Sequence, residues 1–321
     1  MTTTTPTPAW RDRVDSVQPT VLFLGGFMSS PPIYRELRDL LLARGAPDVI
    51  VAPIWTMDWL LSIKRGQAAI VTRAGRALLE ASAASSREPA SAGAPVLVIG
   101  HSMGGVVARI LTSPAPFAGR KMNASGRIGA IVTLGTPHRM DAGVSGQIPN
   151  ETALWVAEKV PGAYFAPRVG YVAVGSRAVV GTPDGDRWSR TADRCYRGVI
   201  LAPEGARIEG DGLIPLESAL LPGAEPIILD DVLHGFFVAG NWYGDADHVD
   251  AWWPRAVAAW RGALLARVGP DERGPDRTAT GVDARVPVAP TADHAAAPEA
   301  TDIGVAGQRL CPSSGQPFCH R

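Results

Sequence analysis

Cysteine is scarce: Cys195, Cys311 and Cys319 are the only three in 321 residues. That is too few for the disulfide framework that staples small secreted domains. Long apolar runs are also missing. No window approaches the roughly 18 uninterrupted apolar residues of a membrane-spanning helix. The opening stretch, Met1 to Pro8 and on to Trp10-Arg11, lacks the basic start and apolar stretch of a secretory signal. Lysine is confined to Lys64, Lys121 and Lys159. Nor is one sign of charge in excess: Lys+Arg and Asp+Glu stand at 31 each, so nothing electrostatic calls for nucleic acid or an anionic membrane. These absences lead to the expectation of a soluble cytoplasmic protein with no integral membrane segment and no nucleic-acid partner.

What is present is apolar material, 46% of the chain, enough for a sizeable core. It is distributed as short apolar runs alternating with longer amphipathic ones, the pattern of a mostly parallel sheet with helices on both faces. Val21 to Leu24 reads as a buried strand ending in Gly25-Gly26. Ser30 and Pro31-Pro32 suit the start of a helix that carries Ile33, Leu37, Leu40 and Leu41, and Gly45 suits its end. Further strands are predicted at Val49–Ala52, Val96–Ile99, Ile128–Leu134, Tyr171–Val174 and Pro226–Leu229. Helices are predicted at Gln67–Ala84, Val106–Leu111 and Pro254–Val268. Residues 1–19 read as an N-terminal arm and 20–268 as one α/β catalytic domain. Residues 269–321, rich in Pro, Ala, Thr, Asp and Gly, read as a disordered tail that includes Cys311 and Cys319.

The chemistry is concentrated at Gly100-His101-Ser102-Met103-Gly104-Gly105. A G-x-S-x-G sequence says little alone, but here it follows a buried strand and opens a helix, the setting of a nucleophile elbow. Such a bend lifts the Ser102 hydroxyl above the sheet. It also leaves the Met103 amide, at the positive end of a helix, free to donate to a developing oxyanion. A serine hydroxyl needs a base, and the base needs an orienting acid; in this fold they follow the serine in the order acid, then His. Of six histidines, His101 is fixed on the elbow, His138 comes too early, and His294 and His320 belong to the tail. Of His234 and His248, His234 lies just past a late strand, whereas His248 reads as the solvated start of the last helix. Asp211, in Gly210-Asp211-Gly212-Leu213-Ile214-Pro215, is the leading acid, set in a tight turn. The competitors are Asp184, Asp186 and Asp193 in a Gly- and Arg-rich loop, and Asp230, close in sequence to His234. The second oxyanion donor is expected from Gly25-Gly26-Phe27-Met28, at the Phe27 amide or else that of Met28.

Together with Thr133-Leu134-Gly135-Thr136-Pro137-His138, these motifs stand in the order found in α/β-hydrolase lipases and esterases. Over residues 20–268 the chain resembles bacterial triacylglycerol lipases and their cyanobacterial and plastid relatives. The resemblance implies Ser102 as nucleophile, Asp211 as acid, His234 as base, and Phe27 and Met103 as the oxyanion hole. It treats Thr136-Pro137-His138 as a structural turn. Many members carry His-Gly before the oxyanion residue; Gly25 replaces that His here. The fold usually inserts a cap after its fourth strand, which places one at 139–168, with Ile148, Leu154 and Trp155. That segment and the apolar Ile54–Leu61 are candidates to line an acyl pocket, or else are ordinary core packing. The expected activity is hydrolysis of carboxylic esters, small or lipid-like, through an acyl-enzyme and with no metal or organic cofactor. Two alternatives are an acyltransferase on the same fold and a non-catalytic binding protein.

Overall fold

The computed structural model describes residues 13–144, 150–235 and 241–268. Most of the predicted N-terminal arm, Ile148, and the predicted tail with Cys311 and Cys319 lie outside the described residues. Six parallel strands form the central sheet: β1 (Val21–Leu24), β2 (Val49–Val51), β3 (Val96–His101), β4 (Ile128–Leu134), β5 (Gly170–Ser176) and β8 (Glu225–Leu229). Their spatial order is β2-β1-β3-β4-β5-β8. Two shorter strands, β6 (Val179–Gly181) and β7 (Ile208–Gly210), pair antiparallel apart from this sheet.

Apolar runs make these strands because both faces of the sheet are covered. Successive residues point to opposite faces. Leu22, Leu24, Val96, Val98 and Ile131 therefore enter one layer, while Val21, Phe23, Leu97, Ile99 and Val132 enter the other. The first layer is completed by α3 (Ala68–Arg87) and α4 (Met103–Thr112). The second is completed by α1 (Arg35–Ala43) and α8 (Ala246–Val268), whose Trp252 and Trp260 are wholly buried. All ten residues of α4 are buried, so no polar face is needed.

Remaining helices are α2 (Thr56–Arg65), α5 (Asn150–Lys159), α6 (Arg187–Arg197) and α7 (Leu216–Ala219). Two expectations are corrected. The last helix begins at Ala246, with Pro254 inside it. Its extra turns bury Val249, Trp252 and Trp253, and that burial outweighs the helix-breaking tendency of proline. His248 is correspondingly buried rather than solvated, its ring nitrogens 2.9 Å from the Trp242 carbonyl oxygen and 3.2 Å from Asp231. The Gly- and Arg-rich stretch is helical as α6. Asp186 caps it by accepting the Ser189 amide at 2.8 Å, and Ala192 and Tyr196 supply its buried face.

The loops that matter leave the carboxyl ends of the strands. Chain order reverses between β1 and β3, since β2 lies on the outer side of β1 and β4 beyond β3. A crevice opens at such a reversal, and here it receives Gly25-Gly26-Phe27 from β1 and Ser102 from β3.

Candidate active site

Ser102 sits between β3 and α4 at φ 52° and ψ −127°, a region that residues with side chains rarely occupy. The neighbours hold it there. Its amide donates to the Leu134 carbonyl at 2.9 Å, and its own carbonyl accepts the Thr136 hydroxyl at 2.9 Å. Close packing requires the glycines on either side. A Cβ at Gly100 would lie 2.4 Å from the Gly105 backbone, and one at Gly104 would lie 2.1 Å from the Leu24 carbonyl oxygen.

The structure brings Ser102, His234 and Asp211 together. Ser102 Oγ lies 3.0 Å from His234 Nε2, and His234 Nδ1 lies 2.8 Å from Asp211 Oδ2. The carboxylate accepts, so Nδ1 carries the ring proton and bare Nε2 faces the serine hydroxyl. The two loops are also joined through backbone: the His234 amide donates to the Asp211 carbonyl at 2.9 Å. Asp211 is buried. Burial pushes its carboxyl up, but the His234 ring and the amides of Ile214 and Leu213 outweigh that and hold it below the usual carboxylate range. Tyr243 adds a fourth donor, its hydroxyl 2.9 Å from Asp211 Oδ2. No motif marks Tyr243 in the sequence; its position just before the last helix was the only available sign.

The competing residues lie elsewhere. Asp230 pairs with Arg177 on the surface, Asp186 caps α6, Asp193 pairs with Arg197, and exposed Asp184 stands in a turn. His138 is buried between Arg109 and Thr133. On the β1 loop, Gly26 approaches the serine so closely that a Cβ there would lie 2.9 Å from Ser102 Cβ. The Phe27 and Met103 amides have no intramolecular acceptor among the described residues. Gly25 leaves space that is filled by Tyr34 and Ser29: a Cβ would meet each at 2.7 Å.

The match to a protein family falls on the stretch that carries Ser102. The model of the PGAP1-like alpha/beta domain family matches residues 65–147, the stretch that runs from α3 through the Ser102 bend to the loop after β4. The chain is similar to that family over this stretch, and its mostly parallel sheet covered by helices is an α/β fold. GPI inositol-deacylase A of Yarrowia lipolytica is 40% identical to it over 72 residues, which are 21% of this chain and 6% of that protein; the match thus spans a small fraction of the relative. Among solved structures, the mature lipase of Bacillus licheniformis is similar at 14% identity, covering 75% of this chain and 93% of the lipase, with a TM-score of 0.47. The apo form of Thermogutta terrifontis esterase 2 is similar at 12% identity, covering 80% of this chain and 86% of the esterase, with a TM-score of 0.41.

A cavity of about 550 Å³ opens over Ser102 and His234. Phe27, Met103, Val179, Trp188, Leu213 and Leu233 give it an apolar lining. Among the described residues its outer wall comes from β6 and α6, and none of the described residues of 139–168, the candidate cap, lines it. Among the described residues of that segment, Ala153, Val156 and Val160 are buried in the core and Leu154 and Trp155 pack against it. Ile54–Leu61 is not part of the lining either: Trp59 is buried with its ring 5.7 Å from that of Phe27, while Met57, Leu60 and Leu61 face solvent. Of the two β1-loop candidates, Phe27 lines the cavity and Met28, at φ 63°, is exposed. Among the described residues no group of three or more His, Cys, Asp or Glu side chains could hold a metal ion.

Proposed function

We propose that the protein is a serine hydrolase that removes an acyl group from an alcohol oxygen, with Ser102 as nucleophile, His234 as general base and acid, and Asp211 as its orienting carboxylate. The observation that carries this reading is the unbroken chain from Ser102 Oγ to His234 at 3.0 Å and from His234 to Asp211 at 2.8 Å, on a strained bend facing an apolar cavity. In the first step Ser102 Oγ attacks the ester carbonyl carbon as its proton passes to His234 Nε2. The imidazolium is balanced by Asp211. The carbonyl oxygen gathers negative charge that the Phe27 and Met103 amides are free to receive. Collapse of this adduct breaks the bond to the leaving oxygen, which takes the proton from His234. A water then loses its proton to His234 and cleaves the acyl-serine, and the acid and the free Ser102 hydroxyl are released.

The lining at Phe27, Val179, Trp188 and Leu213 suits a hydrocarbon acyl part, so lipid-like esters are the favoured class. The name of the Yarrowia relative, an inositol deacylase, points the same way: acyl carbon on one side of the scissile bond, alcohol oxygen on the other. The test is labelling by a fluorophosphonate probe together with hydrolysis of p-nitrophenyl esters of increasing chain length. Wild type is expected to be labelled at Ser102 and to turn over the esters, and Ser102→Ala to do neither while keeping its fold. Labelling that persists in Ser102→Ala would remove the assigned nucleophile.

A further inference from the structure

His101 precedes the nucleophile, yet the chemistry above leaves it unused. Its ring is 4% exposed, and both nitrogens are engaged. Nε2 lies 2.8 Å from the His234 carbonyl oxygen, and Nδ1 lies 3.1 Å from the Tyr34 hydroxyl. A carbonyl only accepts, so Nε2 carries the proton. Burial, and after it the charge of the His234 ring, pushes His101 down to about 3. At neutral pH the ring is therefore neutral and Nδ1 is a bare acceptor. The Tyr34 hydroxyl must donate to it. Burial pushes that phenol up to about 12, so it keeps its proton. The Tyr34 oxygen in turn accepts the Gly26 amide at 3.0 Å.

Every donor then points the same way: Gly26 N–H to Tyr34, Tyr34 O–H to His101, His101 Nε2–H to the His234 carbonyl. The Ser29 hydroxyl closes the near end by donating to the Gly26 carbonyl at 2.6 Å. This buried chain joins two loops that contribute different parts of the chemistry. One end fixes the peptide just before Phe27, and the other fixes the backbone of His234. Tyr34 also fills the space left open by Gly25, where a Cβ would lie 2.7 Å from its ring. We infer that Tyr34 and His101 are positioning residues that set the β1-loop amide and the His234 imidazole in mutual register around Ser102. The neutrality of His101 serves the same end. The two rings are 5.0 Å apart, and a second cation there would oppose the imidazolium that His234 must become.

The inference rests on the hydrolase reading, and one set of measurements separates the two. The second-order rate of fluorophosphonate labelling at Ser102, and kcat and KM on p-nitrophenyl butyrate, are compared for wild type, Tyr34→Phe, His101→Gln and His101→Phe, with thermal unfolding to confirm each fold. Tyr34→Phe, which removes the oxygen that accepts from Gly26 and donates to His101, is expected to lower labelling and kcat about tenfold or more with KM little changed, the scale of two lost buried hydrogen bonds. His101→Gln keeps an N–H near the Nε2 position and is expected within about threefold of wild type, because it spares the stronger of the two contacts. His101→Phe fills the ring volume without a donor and is expected to be slower than His101→Gln by about tenfold or more. A packing role reverses that last order, so His101→Phe matching or exceeding His101→Gln overturns the relay, as does a Tyr34→Phe variant labelled at the wild-type rate. If His101→Phe does not fold, the other two variants decide on the same values. A wild type that resists the probe counts against the hydrolase reading instead. The relay also has a readout without turnover: in the ¹⁵N spectrum His101 shows a protonated Nε2, and Tyr34→Phe moves its Nδ1 resonance. An unmoved Nδ1 resonance overturns the relay whatever the fate of Ser102.

Discussion

Asp211 shows how much of the site depends on hydrogen-bond direction at one side chain. Its Oδ2 accepts from His234 Nδ1 and from the Tyr243 hydroxyl, and its Oδ1 accepts the Leu213 and Ile214 amides at 3.0 and 2.7 Å. Four donors and no acceptor face it, a setting that only an ionised carboxylate satisfies. Asp211→Asn introduces an NH2 into this ring of donors. Turned toward His234, it requires Nδ1 to accept, which moves the ring proton to Nε2, where the serine proton should go. Turned away, it meets the Leu213 and Ile214 amides, donor against donor. The two backbone amides favour the first orientation, in which the ring cannot take the Ser102 proton, and the labelling rate and kcat are expected to fall about 10³- to 10⁴-fold, the scale of a wrong tautomer in such triads. Retention of more than a tenth of the wild-type rate would contradict the role given to Asp211. The shift to a low pKa is also a statement about acid: the unfolded carboxyl protonates near pH 4, the folded one only below that. Its contribution is therefore complete above that range and lost beneath it.

At the level of elements, the bend between β3 and α4 works because two glycines let an entire helix end press against β1. A methyl group at Gly104 would sit 2.1 Å from the Leu24 carbonyl oxygen and 2.8 Å from that of Gly25, both rigid backbone. Gly104→Ala is expected to destabilise by about 1–3 kcal/mol, the range of overpacked cores, and to reduce labelling because it displaces the loop carrying Phe27. Gly262→Ala is the control. It lies in α8 with nothing within 4 Å of the added carbon, and is expected to be neutral or slightly stabilising by thermal melt. An equal loss in both variants would mean that helix packing at the bend is looser than the contacts show. Legibility in the sequence follows the same logic. Val21–Leu24 and Ile128–Leu134 were readable to the residue because strands buried on both faces leave an uninterrupted apolar signature. Ser102, Asp211 and His234 could be picked out because a motif and a chain order constrain them. β6 and β7, three residues each, are too short to carry a period. α6 hides behind Arg187, Arg190, Arg194 and Arg197, with only Ala192, Asp193 and Tyr196 buried on its inner side. Tyr34 and Tyr243 were invisible for a different reason. A hydroxyl that matters through a residue dozens of positions away has no local pattern, and only the assembled sheet brings it there.

For the molecule as a whole, charge balance predicts little, since Lys+Arg and Asp+Glu are equal; the buried histidines predict much more. His138 is 5% exposed, its Nδ1 accepting from the Arg109 guanidinium at 3.2 Å and its Nε2 facing the Thr133 hydroxyl at 2.9 Å. Burial first, and the Arg109 charge second, push it well below the ordinary histidine value. His101 is pushed down to about 3 by burial and the nearby His234 ring. Both rings thus stay neutral in the fold at pH values where the unfolded chain protonates them, near 6.5 and below. In that window the unfolded state binds one more proton per ring, so stability is full above pH 6.5 and falls as the pH drops toward the folded values. For His101 the loss is about 1.4 kcal/mol per pH unit below 6.5, and His138 adds a loss of the same sign. Acid unfolding should therefore begin before the carboxylates protonate. Urea midpoints at pH 7.5, 6.5, 5.5 and 4.5 test this through tryptophan fluorescence, which samples both layers because Trp59 is buried in one and Trp252 and Trp260 in the other. His138→Gln, which keeps an acceptor for Arg109 but cannot titrate, should make the pH slope below 6.5 shallower even if it lowers stability at neutral pH. A slope unchanged in that variant would mean that His138 takes up its proton inside the folded protein, and the Arg109 guanidinium would then have to give up its contact with His138 without unfolding the core around it.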